Sequence, residues 1–224
     1  MFDIRLFDCR ATGTIRLLHR HMTRPGTFMN KHKRLFLCTS AAAALLPAVT
    51  PSLADTTGKG IPLLTIGGAI ANGNRGPVDP VLDQLLVRHG INFSRALALD
   101  AERLQRLPRI DIRPTLEYDE KPHKLSGPLL TAVLGEAGVE MSPSLRVGLR
   151  AIDGYNVVIG ADEIRSYRMI VATHIDDQPM ALGGLGPQWA VHDADNLPAF
   201  KGKPVKERFA SCPWGLYYID VMKG

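Results

Sequence analysis

Four histidines, His89, His123, His174 and His192, are the first side chains to test for metal or acid–base chemistry, and their spacing argues against it. No two of them stand as H-x-x-x-H or H-E-x-x-H and no cysteine accompanies them, so a metal site is not expected. The glycines between positions 67 and 76 are not followed by Lys-Ser or Lys-Thr, which excludes a phosphate-cradling P-loop. Gly184-x-Gly186 meets Trp189 where a dinucleotide fingerprint needs its third glycine, and no G-x-S-x-G elbow presents a serine nucleophile. Asp176 and Asp177 precede Gln178-Pro179 and read as turn formers rather than as an acid/base pair. Cys212 is followed by Pro213-Trp214 with no second cysteine at redox spacing, so its thiol is expected to be buried and structural.

What remains is aromatic and polar. Trp189 and Trp214 are the only tryptophans, both in the carboxyl-terminal third, near strands that could face each other across a sheet. A flat heteroaromatic ligand needs stacking surfaces and a few in-plane donors and acceptors, and Trp beside Arg, Asp or Asn supplies that combination. The competing use of both indoles is as anchors of a hydrophobic core.

The elements that must position these residues can be read in outline. Residues 63–70 have the β-branched and apolar character of a strand, followed by a Gly/Asn/Pro loop over 72–80. Residues 81–87 are a short apolar piece, helical or extended. Asp100 caps a helix that stops at Pro108. Alternation over 109–118 predicts a half-buried strand, with Ile110, Ile112, Leu116 and Tyr118 on one face and Pro114 marking an edge or bulge. Ser126 is expected to cap a helix running through Ala137 and ended by Gly138. Strands are expected at 145–151, 155–159, 169–175, 180–182, 188–192 and 213–222, with a turn at Asp153-Gly154 and a short helix over 161–167. Strands dominate without regular βαβ alternation, so the expected class is α+β: a single domain of mainly mixed β-sheets with a few short helices.

The chain has 224 residues, 45% hydrophobic and 22% charged, which excludes fibrous and wholly disordered classes. A net charge of +5 at first suggests nucleic acid or a membrane surface. Residues 1–54, however, hold eight of the 27 basic residues and two of the 22 acidic ones, leaving 19 bases against 20 acids in 55–224. The basicity belongs to a leader, and no nucleic-acid partner is expected. From Met29 the chain reads MNKHKR, then LFLCTSAAAALLPAV, then TPSLA before Asp55, a cleavable export signal with cleavage after Ala54. Residues 1–28 are then an over-extended amino terminus, 29–54 the signal peptide and 55–224 the working domain, expected in the periplasm. Cys9 and Cys38 leave with the leader, so the domain has no disulfide framework.

The run DGYNVVIGADEIRSYRMIVATHIDDQPMALGGLGPQWAVHD and the closing RFASCPWGLYYIDV resemble the oxidoreductase molybdopterin-binding domain family, which has the sulfite-oxidase-type fold. The matching features are the turn from Asp153 to Tyr155, Met180 after a hairpin, Gly186-Pro187-Gln188-Trp189, Arg208 and Trp214-Gly215-Leu216. Upstream, LSGPLLTAVLGEAGV is similar to the family's G-x-x-L-x-x-L-L-x-x-A-G helix, and the resemblance extends over residues 63–221.

Two departures direct the functional expectation. The family's catalytic branch ligates molybdenum through a cysteine on the strand before that helix; here residues 110–117 hold none, and Cys212 lies elsewhere in the chain. Leu182-Gly183-Gly184-Leu185 also lacks the charges of the family's V-R-D-K before G-P-L-W. The resemblance therefore implies the small exported branch: a non-catalytic protein binding a pterin or molybdopterin-like ligand without molybdenum. Some such members act as sensors for a membrane partner, a cyclic-di-GMP enzyme. On this reading Trp189 and Trp214 flank the pocket, and Tyr155 and Arg208 stack or hydrogen-bond. Asp193 or Glu117 accepts from the pterin amino and ring N–H groups, and Arg113 is a further candidate. The alternatives are a molybdenum-cofactor oxidoreductase and a ligand-free interaction module.

Overall fold

The two longest strands, β1 (Pro62–Gly68) and β11 (Leu216–Met222), come from opposite ends of the region described and pair in parallel, Thr65 opposite Tyr218. The computed structural model describes residues 60–224, which belong to one compact unit; the expected leader, 1–28 and 29–54, with its cleavage point, lies outside them. Around the β1/β11 pair a five-stranded sheet forms in the order β2-β1-β11-β5-β6, with β2 (Leu97–Asp100), β5 (Arg146–Ala151) and β6 (Asn156–Gly160) joined antiparallel. Both faces of this sheet are covered. Ile219 and Val221 enter the main core with Leu64, Ile66 and Leu149, while Tyr218 points the other way into a small cluster with Leu86, Ile91 and Phe93. That alternation is the period-2 rule of a strand buried on both sides.

A second sheet has the order β3-β4-β8-β9, built from β3 (Arg109–Ile112), β4 (Leu125–Pro128), β8 (His174–Ile175) and β9 (Gln178–Pro179). A separate antiparallel pair joins β7 (Ile170–Ala172) to β10 (Trp189–Val191). Helices α1 (Gln84–Arg88), α2 (Ala101–Arg106), α3 (Leu130–Glu136) and α4 (Ala161–Ser166) are short. With these sheets and so few helical residues, the described region is α+β, as the pattern of elements predicts. No helix among the described residues is long and apolar enough to cross a membrane.

Several local expectations hold at atomic level. Asp100 caps α2, its Oδ1 accepting from the Arg103 amide at 2.8 Å. Asp176 and Asp177 both take positive φ, 47° and 64°, and make the two-residue hairpin between β8 and β9.

Others change. The strand expected over 109–118 ends at Ile112, because Pro114 cannot donate to a ladder; the chain folds back on itself, closed by a Thr115–Pro122 bridge. Pro114 does mark an edge, since β3 is the outer strand of its sheet. Ser126 does not cap a helix. It sits inside β4 and its hydroxyl donates to Asp111 Oδ1 at 2.6 Å across the β3/β4 pair, while α3 starts after Leu129. The strand expected over 169–175 is broken at Thr173, whose amide bonds back to Ser126, and residues 180–182 form no strand. The last strand begins at Leu216 rather than at 213, since Trp214 bridges to Trp189 outside that sheet and the chain bends at Gly215, φ 60°, before entering it.

Gly127 decides how β4 lies against β7. A side chain there would run into the Val171 carbonyl, so the approach of the two strands depends on a residue without Cβ.

Candidate functional site

Three segments converge on one cavity of about 260 Å³. The fold-back loop after β3 supplies Glu117 and Tyr118. The end of β5 and the turn into β6 supply Ala151, Asp153 and Tyr155. The connection from β10 to β11 supplies Lys206, Phe209, Ala210, Cys212, Pro213 and Trp214. That connection is a strap of three short 3-10 turns, Ala194–Asn196, Pro198–Phe200 and Val205–Glu207, which keeps its backbone bonded locally while it crosses the surface.

The strap is tied down at defined points. Tyr155 Oη donates to the Ala210 carbonyl at 2.6 Å, joining the β5–β6 turn to the strap. Arg208 donates from Nε to the Lys203 carbonyl at 2.9 Å and from Nη1 to Asp195 Oδ1 at 2.7 Å. Asp195 Oδ2 accepts from the Thr115 amide at 2.7 Å, which links the strap to the fold-back loop.

The mouth of the cavity is aromatic and charged. Trp214, Tyr155 and Tyr118 are each more than one-third exposed around it, with the Glu117 carboxylate and the Lys206 ammonium among the lining groups. Burial, the neighbouring Glu117 charge and a hydrogen bond to Glu117 push the Tyr118 phenol up, and the Trp214 indole works against that shift.

Its floor is dry. Phe209 packs tilted against Trp189 at 5.9 Å between centroids and stacks on His192 at 6.2 Å, and His192 in turn stacks on Phe200 at 4.5 Å. Burial lowers the His192 pKa to about 4, with the Arg208 main chain and the Asp193 charge opposing it, so the ring is neutral. Cys212 Sγ lies 3.3 Å from His192 Nδ1, and burial pushes the thiol up to about 12. A neutral imidazole and a protonated thiol in an apolar floor are a packed pair, not an activated nucleophile.

Of the residues expected at a site, Trp214, Tyr155 and Glu117 line this cavity together. Trp189 lies beneath it, 1% exposed, its Nε1 donating to the Cys212 carbonyl at 2.8 Å. Arg208 is engaged with Asp195 and Lys203 and is not a lining residue. Asp193 sits on the strap, its Oδ2 accepting from Asn196 Nδ2 at 2.8 Å. Arg113 is exposed and does not line the cavity; its charge adds to the hydrogen bonds from His123 and Lys124 that lower the Asp176 pKa. Tyr118, Lys206 and Phe209 were not singled out by sequence reasoning. Alternation puts Tyr118 on a strand face, although its position next to Glu117 in a loop opened by Pro114 is the signal that points to the cavity.

The donor set bears on which cofactor could be held. Thiolate ligation of molybdenum does not fit: Cys212, the free cysteine among the described residues, is buried, protonated and set against His192. No three His, Cys, Asp or Glu side chains are grouped to hold a metal ion among the described residues. A planar heterocycle fits the donor set better, because aromatic surfaces and a carboxylate acceptor share one cavity.

No protein-family model and no curated protein matches the chain. Among solved structures, the chain is similar to the sulfane dehydrogenase SoxCD from Paracoccus pantotrophus, at a TM-score of 0.46 and 12% identity, over 72% of this chain and 38% of that one.

Proposed function

We propose that residues 55–224 are an exported pterin-binding domain with no redox chemistry of its own, whose ligand-bound state is read by a membrane signalling partner. The observation that supports this reading is the meeting of Trp214, Tyr118 and Tyr155 with Glu117 in one cavity. At about 260 Å³ it falls just below the roughly 300–1,000 Å³ of drug-sized ligand sites, a size suited to one fused ring system rather than a dinucleotide. The aromatic rings offer stacking surfaces. Glu117 accepts in plane from the amino and ring N–H groups of a pterin, and Lys206 donates to an oxo or anionic substituent. The membrane partner, a cyclic-di-GMP enzyme, follows from the family resemblance, and export to the periplasm from the basic and apolar leader before Asp55.

The test is to express the full chain, purify the exported form, and record pterin fluorescence and molybdenum content together. Pterin without metal supports the proposal. Stoichiometric molybdenum would overturn it in favour of an oxidoreductase, and neither, even after adding pterins, would favour a ligand-free interaction module. Sequencing the amino terminus of the same sample should give Asp55 as the first residue.

A further inference from the structure

We propose that Asp195 is the positioning residue of this cavity: its single carboxylate sets the distance between the Glu117–Tyr118 wall and the wall formed by Lys206 and Ala210. The inference rests on the cavity being the binding site, and it assigns a role to a residue that lines none of it. Asp195 uses both oxygens on different segments. Oδ2 takes the Thr115 amide at 2.7 Å, two residues before Glu117, and Oδ1 takes Arg208 Nη1 at 2.7 Å, two residues after Lys206. A carboxylate that accepts from two donors at once fixes their separation, and the guanidinium partner makes one of the bonds charge-assisted. Arg208 extends the tie by donating from Nε to the Lys203 carbonyl at 2.9 Å, so the strap is gripped on both sides of Lys206.

The Lys206–Ala210 wall has a second, separate attachment. Tyr155 Oη reaches the Ala210 carbonyl at 2.6 Å and involves neither Thr115 nor Asp195. Cutting the Asp195 tie therefore frees the Glu117–Tyr118 wall from the strap, while Tyr155 keeps the strap attached through Ala210. Asp195 is only partly buried, its side chain 29% exposed, and it carries no part of the hydrophobic core. Its loss should loosen the cavity rather than unfold the chain. Arg208, expected from sequence to touch the ligand, acts through Asp195 in this scheme.

The experiment compares Asp195→Ala, Asp195→Asn, Arg208→Met and the Asp195→Ala/Arg208→Met pair in the full chain, with two readouts. The first needs no ligand: amide hydrogen exchange across the fold-back loop and the strap. Asp195→Ala should speed exchange at Thr115 and in the segment around 203–210 while β1 and β11 keep wild-type protection. Asp195→Asn, which retains an acceptor for the Thr115 amide, should restore Thr115 but not the strap. The second is the affinity for free pterin, expected to fall roughly tenfold in Asp195→Ala, the scale of one lost charge-assisted hydrogen bond, with little added by Arg208→Met. Unchanged exchange at Thr115, or a rise spread evenly over the chain, would overturn the proposal. A wild-type chain that binds no pterin, with the local exchange changes still present in the variants, would remove the ligand assignment and leave the positioning role standing.

Discussion

Trp189 and Trp214 face each other backbone to backbone in an isolated antiparallel bridge, yet one indole is 1% exposed and the other 38%. Trp189 is enclosed by Phe209 and bonded to the Cys212 carbonyl, whereas Trp214 stands at the mouth of the cavity. Their substitutions should separate. Trp189→Ala is expected to cost about 3–5 kcal/mol of stability, the range for an aromatic removed from a core. Trp214→Ala should leave the unfolding midpoint nearly unchanged and weaken pterin binding by roughly tenfold through lost stacking. Urea unfolding and fluorescence titration on the two variants check both; equal stability losses would contradict the division.

His192 should make the chain acid-sensitive well above the carboxylate range. Its folded pKa of about 4 lies below the ordinary 6.5, so the folded state resists taking up the proton that the unfolded chain accepts. The stability cost begins as pH falls below 6.5 and is complete near 4, about 2–3 kcal/mol between pH 7 and 4.5. Denaturant unfolding at both pH values should show it, and His192→Phe, which keeps an aromatic ring against Phe200 and Phe209, should flatten that slope.

The Cys212 thiol should be inert in the folded chain. With its pKa pushed up to about 12 and its side chain enclosed, a maleimide or disulfide reagent at neutral pH should modify it only after denaturant is added. Labelling of the native protein at the rate of a free thiol would mean that the floor of the cavity opens.

His123 pins the fold-back loop to the β8–β9 turn, with Nε2 3.0 Å from Asp119 and Nδ1 2.6 Å from Asp176. These hydrogen bonds raise the histidine pKa above 6.5 and lower both carboxylates below 3.8. The histidine's contribution is complete below pH 6.5 and disappears as pH rises through its raised pKa, whereas the carboxylates' contribution is complete above 3.8 and disappears as pH falls through their lowered values. Loop amides at 116–123, corrected for intrinsic rates, should be better protected at pH 5.5 than at pH 9, and His123→Gln should abolish the difference.

Gly127→Ala should be among the most damaging small substitutions, since the added methyl meets the main chain of Val171, which cannot rotate away. A loss of about 1–3 kcal/mol or more, on the scale of core overpacking, is expected in thermal unfolding, against a negligible change for Gly76→Ser, where the added side chain meets open space and the backbone φ is one that any residue adopts.

Local signals in the chain carried much of this molecule. Asp100 as a cap, Asp176-Asp177 as a turn, Gly138 as a helix stop and the apolar runs of β1 and β11 depend on neighbours within a few residues, and the sequence displays those neighbours directly. Alternation misled where a non-local contact outweighed it. Residues 113–118 keep a strand's pattern but fold back after Pro114, and Ser126 has a cap's chemistry but spends its hydroxyl on Asp111 of the adjoining strand.

The candidate site divides along the same line. Aromatic residues with a nearby carboxylate can be read along the chain, and the lack of a cysteine at residues 110–117 carries the expectation of binding rather than thiolate metal chemistry only through the family resemblance. Which of two tryptophans faces the cavity, that Glu117 meets Trp214 across about a hundred residues, and that Arg208 turns to Asp195 were decided only by tertiary structure. The reason is geometric: these relations depend on where the strap from β10 to β11 crosses the fold-back loop, and that crossing is set by the pairing of β1 with β11 and by the packing of Phe209 over Trp189, contacts that no local pattern encodes.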